Sequence, residues 1–180
     1  MSALFEHNFL YGVILCACLL AVASDIRTRK IPNIIPGAVF LVAVITSCLH
    51  GLGSFFAMFA PALGVLGLGS LAFSRQWIGG GDVKLLAACA ALLPFNESIY
   101  FLLFTCVAGG MSSIAMLTYQ GKLRDTLVST FTIIHGLTTE PTLPIVPQTK
   151  TYFPYAVSIA LGAIILTIIH SFSPDMLRLS

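Results

Sequence analysis

Long apolar runs almost free of charge decide most of what this chain can fold into. Six can be read: Phe9 to Ser24, Ile34 to His50, Ser54 to Phe73, Asp82 to about Phe95, Ser98 to Tyr119 and Pro154 to Phe172. A helix that crosses a bilayer needs about 20 largely apolar residues, within a range of about 17 to 25. The first run is slightly short and the fourth is marginal. Of all residues 57% are hydrophobic and 9% charged, against about 25% charged in a soluble domain. A chain so poor in polar groups cannot cover a surface that faces water, so lipid is its natural solvent. The expected fold class is all-α: a polytopic membrane protein of about six transmembrane helices. Residues 1–180 are expected to form a single membrane domain with no large soluble module.

The positions of the charges set the orientation. Basic residues in short loops mark the cytoplasmic side. Arg27, Arg29 and Lys30 lie between runs one and two, and Arg75 and Lys84 between three and four. Lys122, Arg124 and Lys150 lie between five and six. The alternate connections carry none, which leaves only Arg178 of nine basic residues on the other side. Both termini should then face away from the cytoplasm, in a multi-pass protein of the cytoplasmic (inner) membrane. The N-terminal stretch Met1 to Asn8 has Glu6 and no basic residue, so the first run reads as a retained anchor rather than a cleaved signal. A net charge of +2 is too small to point to nucleic acid.

Small residues at Ala57, Ala60, Gly64 and Gly67 would let the third helix approach a neighbour closely. Cys16, Cys18, Cys48, Cys89 and Cys106 all fall within apolar runs and form no CxxC pair. They read as small packing residues, with no disulfide framework, metal site or cofactor implied. Between Gln120 and Phe153, Pro141, Pro144 and Pro147 mark a loop. Within it Leu127 to Leu137 could lie on the membrane surface.

Two of the seven acidic residues stand against apolar runs on the basic, cytoplasmic side: Asp25 after the first and Asp82 before the fourth. Ionisable groups at membrane depth are costly and mark function by default. Two carboxylates brought together share one proton, because like charges in contact cannot both ionise easily. The charged one takes a proton from water and the neutral one protonates a scissile carbonyl. Helix dipoles favour charge on Asp82 and the shared proton on Asp25. The structural alternatives are an N-cap at Asp82 and a solvated Asp25 paired with Arg29. Neither accounts for Gly79-Gly80-Gly81 ahead of Asp82, glycines that permit unusual backbone angles and close approach of a substrate backbone. In Ile31-Pro32-Asn33, proline should end the first helix and Asn33 should cap the second.

With these residues the chain resembles the type IV prepilin peptidases, membrane aspartyl proteases of the GxGD type. Asp25 to Asn33 matches the family's Asp, five residues, then IPN. Gly79 to Leu86 reads GGGDVKLL, against the family's GxGDVKLL. A weaker third match runs from Pro154-Tyr155-Ala156 to Gly162. The resemblance implies that Asp25 and Asp82 form the catalytic dyad and that Gly79 and Gly81 are the motif glycines. Gly80, Lys84, Ile31, Pro32 and Asn33 join them as motif or substrate-binding positions. It further implies a peptidase that removes the basic leader of prepilins or pseudopilins at the cytoplasmic face, with pilus assembly machinery as a further candidate partner. Larger members carry an N-terminal cysteine-bearing region associated with methylation; Asp25 here ends the first run, so that activity is not expected. The compact form is similar to the TadV/CpaA-like peptidases of Flp/Tad-type pilus systems. Archaeal preflagellin peptidases share the architecture. Other classes to weigh are a non-catalytic assembly scaffold and a small ion-conducting subunit, since paired acids also line ion pathways.

Overall fold

The computed structural model describes residues 2–75, 78–121, 128 and 155–172. These form six helices and no strand: α1 (Ser2–Thr28), α2 (Ile34–His50), α3 (Leu52–Ser74), α4 (Gly80–Leu92), α5 (Phe95–Tyr119) and α6 (Tyr155–Phe172). The protein is an all-α polytopic membrane protein, with one helix at each apolar run. Asn8–Thr28, Phe95–Tyr119 and Tyr155–Phe172 are long and apolar enough to cross a membrane; Ile34–Leu49 and Met58–Ser74 are shorter apolar stretches. The surface stretch expected at Leu127 to Leu137 lies, but for Val128, outside the described residues.

Residues Met1–Gly109 with Pro154–Ser180 make one compact unit, and Gly110–Phe153 a second. In the second, α5 closes at Gly121, whose φ of 64° is the left-handed C-terminal stop that glycine supplies cheaply. The first unit holds the core. Its surface exposes Leu20, Leu41, Leu63, Leu68 and Ile168. Such a surface is a liability in water and fits lipid.

Helix α4 is the centre. It packs against both α2 and α3, and Leu85 and every residue from Ala87 to Leu92 are buried. A helix apolar all round belongs inside a bundle, and its alanines let neighbours come close. Its 13 residues rise about 20 Å, short of a hydrocarbon core of about 30 Å. This shortness was legible as the marginal fourth run. Leu93 is extended ahead of Pro94, which ends the helix. The Ser98 hydroxyl closes that end against the Ala90 carbonyl at 2.8 Å.

Two helix ends differ from the sequence expectation. Helix α1 stops at Thr28, before Pro32 acts, because Arg29 turns left-handed with φ of 53°. Its N–H still bonds the Asp25 carbonyl at 2.9 Å. The Ser24 and Thr28 hydroxyls both reach the Lys30 carbonyl, at 3.0 and 3.1 Å, and staple the turn to the helix. Asn33 precedes α2 with helical backbone angles and makes no side-chain capping bond. A capping side chain needs a non-helical residue behind it, and Asn33 is already in the turn.

Candidate active site

Asp25 is the last member of a buried stripe. Ile14, Cys18, Ala21 and Asp25 recur at helical spacing on α1, and all four are buried. Asp25 is 4% exposed, so it is not the solvated interfacial acid of the structural alternative. Helix α4 carries the matching stripe: Asp82, then Leu85, Cys89 and Leu92, the last three each 0% exposed. Cys18 and Cys89 are buried neighbours in the core, close enough to act electrostatically on one another. Both aspartates thus stand at one end of two helix faces that meet. They are electrostatic neighbours, the charge of Asp25 acting directly on Asp82.

The N-cap of α4 is Gly79, so Asp82 is the third helical residue rather than the cap. From there its carboxylate reaches back to backbone hydrogen bonds at Gly79 and at its own residue, half of a capping box. A structural role is therefore real but uses part of the group. Oδ1 is buried and has no hydrogen-bond partner among the described residues. Buried polar atoms are nearly always satisfied, and an exception calls for a reason. A catalytic oxygen that awaits water or substrate is one. The dipole preference for charge on Asp82 is opposed by this enclosed oxygen and by the second carboxylate beside it.

The three glycines supply room, not unusual angles. Gly79 is extended, with φ of −69° and ψ of 140°, and none of the three has positive φ. A Cβ at Gly79 would lie 2.6 Å from Asp82 Oδ2. One at Gly80 would lie 3.2 Å from the Phe73 ring, and one at Gly81 3.1 Å from Ile31 Cβ. Gly81 is thus where the Ile31-Pro32-Asn33 turn rests on α4. A second tie follows one turn on: Lys84 Nζ donates to Asn33 Oδ1 at 3.1 Å. The two sequence motifs therefore pack together around Asp82. The third places Gly162 of α6 against α5, where a Cβ would lie 2.9 Å from Thr105 Cα.

A family model described as the type IV leader peptidase family matches residues 12–114, more than half of the chain. The match takes in Asp25, Asp82 and both of the motifs around them. The chain belongs to the type IV leader peptidase family. Membership implies a leader peptidase, a protease of the aspartic type. The segment from Pro154 to Gly162 lies beyond the matched residues. The chain matches no curated protein and no solved structure.

As a member of the type IV leader peptidase family the chain also carries features that motif reading missed. Tyr11 donates to Glu97 Oε2 at 2.8 Å, and the His170 ring packs against Tyr11, tilted by 35° with centroids 4.6 Å apart. All three are buried, on α1, α5 and α6. Tyr11 lies fourteen residues before Asp25 on one helix, or about 21 Å away. Spacing gave no hint of this cluster, since its members come from distant parts of the chain. The Cys18–Cys89 contact did have a sequence trace, the seven-residue offset of each cysteine from an aspartate.

Proposed function

We propose that the chain is an aspartic endopeptidase of the cytoplasmic membrane, with Asp25 and Asp82 as its catalytic dyad. Its substrates are prepilins, most closely those of Flp/Tad-type pili, cut between a basic leader and an apolar segment. The observation that carries this reading is the enclosed, unpartnered Oδ1 of the half-buried Asp82 next to the buried carboxylate of Asp25. Six crossings with both termini outside would put this end of the bundle at the cytoplasmic face, where a leader is still attached to its pilin.

The chemistry follows from one proton held between two acids. The ionised carboxylate removes a proton from a water molecule, and the hydroxide oxygen attacks the scissile carbonyl carbon. The protonated partner gives its proton to the carbonyl oxygen. The tetrahedral intermediate then collapses, the C–N bond breaks, and the amine leaves with a proton from the dyad. The partner regains one, so the dyad ends with the single proton it began with. Gly79 is exposed and has no side chain, which leaves an open edge for an extended substrate backbone beside Asp82. Exposed apolar faces of the helices would let the pilin's apolar segment arrive through lipid.

The test is purified full-length protein in proteoliposomes, mixed with Flp-type prepilin, other prepilins and preflagellins, with products read by mass spectrometry. Cleavage at the leader junction of the Flp-type substrate, unaffected by chelators, is the expected result. Among the described residues no group of three His, Cys, Asp or Glu is placed to hold a metal. Preference for preflagellin would reassign the substrate. Activity lost to chelation and restored by metal would overturn the aspartyl mechanism, and no cleavage of any substrate would favour a scaffold.

A further inference from the structure

We propose that Lys84 is a positioning residue whose bond to Asn33 sets the distance between Asp25 and Asp82. This rests on the reading of those two as the dyad. The sequence places Lys84 and Asn33 among the motif or substrate-binding positions, and their mutual bond adds a positioning role. Asp25 belongs to α1 and Asp82 to α4, so their spacing depends on how the α1–α2 turn is held against α4. Two contacts hold it. Gly81 gives a flat seat to Ile31, whose Cβ and carbonyl oxygen lie where a side chain would otherwise stand, at 3.1 and 3.5 Å. Lys84, on the next turn of α4, donates to Asn33 Oδ1 at 3.1 Å. The bond lies at the exposed surface, and its charged donor makes it stronger than a bond between neutral groups in the same place. Packing at Gly81 fixes how near the turn comes, and the Lys84 bond fixes its rotation.

The turn in its turn is fixed to Asp25. The Ser24 and Thr28 hydroxyls, on either side of Asp25 in α1, both hold the Lys30 carbonyl. The Arg29 N–H bonds the Asp25 carbonyl itself. A shift at Asn33 therefore passes through Lys30 to the last turn of α1. Asn33 is free to take this part because its side chain makes no capping bond to α2. Ordinary N-cap chemistry would have spent the same oxygen on the helix.

A positioning role and a substrate contact differ in kinetics. Lost positioning lowers kcat and leaves KM; a lost ground-state contact raises KM and leaves kcat. Misplacing a catalytic group by about 1 Å costs about 100-fold in rate. In proteoliposomes with a leader-bearing prepilin, Lys84→Met and Asn33→Leu should each lower kcat about 10- to 100-fold and leave KM within about twofold. The double variant should be no worse than either single one, as groups acting as a unit are non-additive. Lys84→Arg and Asn33→Asp, which keep a donor and an acceptor, should recover most of the rate. A raised KM with intact kcat, or losses that multiply in the double variant, would overturn the proposal. A second measurement does not depend on catalysis. In an Asp25→Cys, Asp82→Cys protein, oxidative cross-linking of positions 25 and 82, read by mass spectrometry, should fall severalfold when Lys84→Met or Asn33→Leu is added. An unchanged yield would refute the spacing role even if no substrate were cleaved. Full cleavage by Asp25→Asn would instead sink the dyad and leave the cross-linking result to judge the clasp.

Discussion

Cys18 and Cys89 are neighbours in the core, both fully buried, Cys18 seven residues before Asp25 and Cys89 seven after Asp82. Seven residues are about two helical turns, or about 10 Å. The thiol contact therefore repeats, at the depth of the core, the pairing of the two aspartates at its end. The two cysteines and the two aspartates belong to the same register of α1 and α4.

Enlarging that contact should disturb the dyad without touching it. Cys18→Leu or Cys89→Leu adds volume where both side chains are 0% exposed. Overpacking a filled core costs about 1–3 kcal/mol and shifts backbone. Each variant should melt lower in detergent and lose most of its cleavage, whereas Cys18→Ala and Cys89→Ala should keep much of it. Equal activity in the leucine and alanine variants would show that register does not matter.

The glycines should rank by what they face. Gly79→Ala collides with the Asp82 carboxylate at 2.6 Å. That carboxylate is the end of a short side chain and can swing aside, so the variant should insert and fold but fail to cleave. Gly81→Ala presses on Ile31 at 3.1 Å and should be intermediate, as the turn must yield a few tenths of an ångström. Gly80→Ala meets the exposed Phe73 ring at 3.2 Å and should be the mildest. Cleavage rate per inserted protein checks the order; a Gly79→Ala enzyme as active as wild type would contradict it.

Tyr11→Phe should separate stability from catalysis. It removes the donor to Glu97, a carboxylate only 5% exposed. Leaving a buried acceptor unsatisfied costs about 1–3 kcal/mol. The melting temperature should fall while kcat of the folded fraction holds, since the cluster is remote from the dyad. A large loss of kcat with unchanged melting would mean that this cluster takes part in the reaction.

Topology can be read with fusions. A reporter placed after Lys122 should behave as cytoplasmic and one after Gly53 as external, following the basic bias of alternate connections. Opposite signals would remove the site from the cytoplasmic face.

Much of this molecule was legible before the structure. Helix positions followed from the apolar runs, because lipid demands long uninterrupted apolar segments. The convergence of Asp25 and Asp82 followed from motifs, and could also have been read from the stripes Ile14-Cys18-Ala21-Asp25 and Asp82-Leu85-Cys89-Leu92. Helix ends were less legible. Pro32 and Asn33 carry the usual stop and cap chemistry, yet Arg29 ends α1 by its own backbone angle and Asn33 is held by Lys84. Side chains choose among partners that folding supplies, and a residue fifty-one positions away leaves no local mark. The same holds for Tyr11 and Glu97. The glycine motif was visible, but its reason was not: what matters is the space each glycine leaves to a particular neighbour.

The most direct test is cleavage of a matched prepilin by Asp25→Asn, Asp82→Asn and the double variant, with membrane levels measured by immunoblot. Asparagine keeps nearly the same size and can hydrogen-bond, but it cannot hold or exchange the shared proton. Membrane insertion should persist, since neutralising a buried acid adds no desolvation cost. Each single variant should lose cleavage, and the double variant should be little worse than either, as expected of groups that act as one device. Near-normal cleavage by a well-inserted Asp25→Asn or Asp82→Asn protein would contradict the dyad.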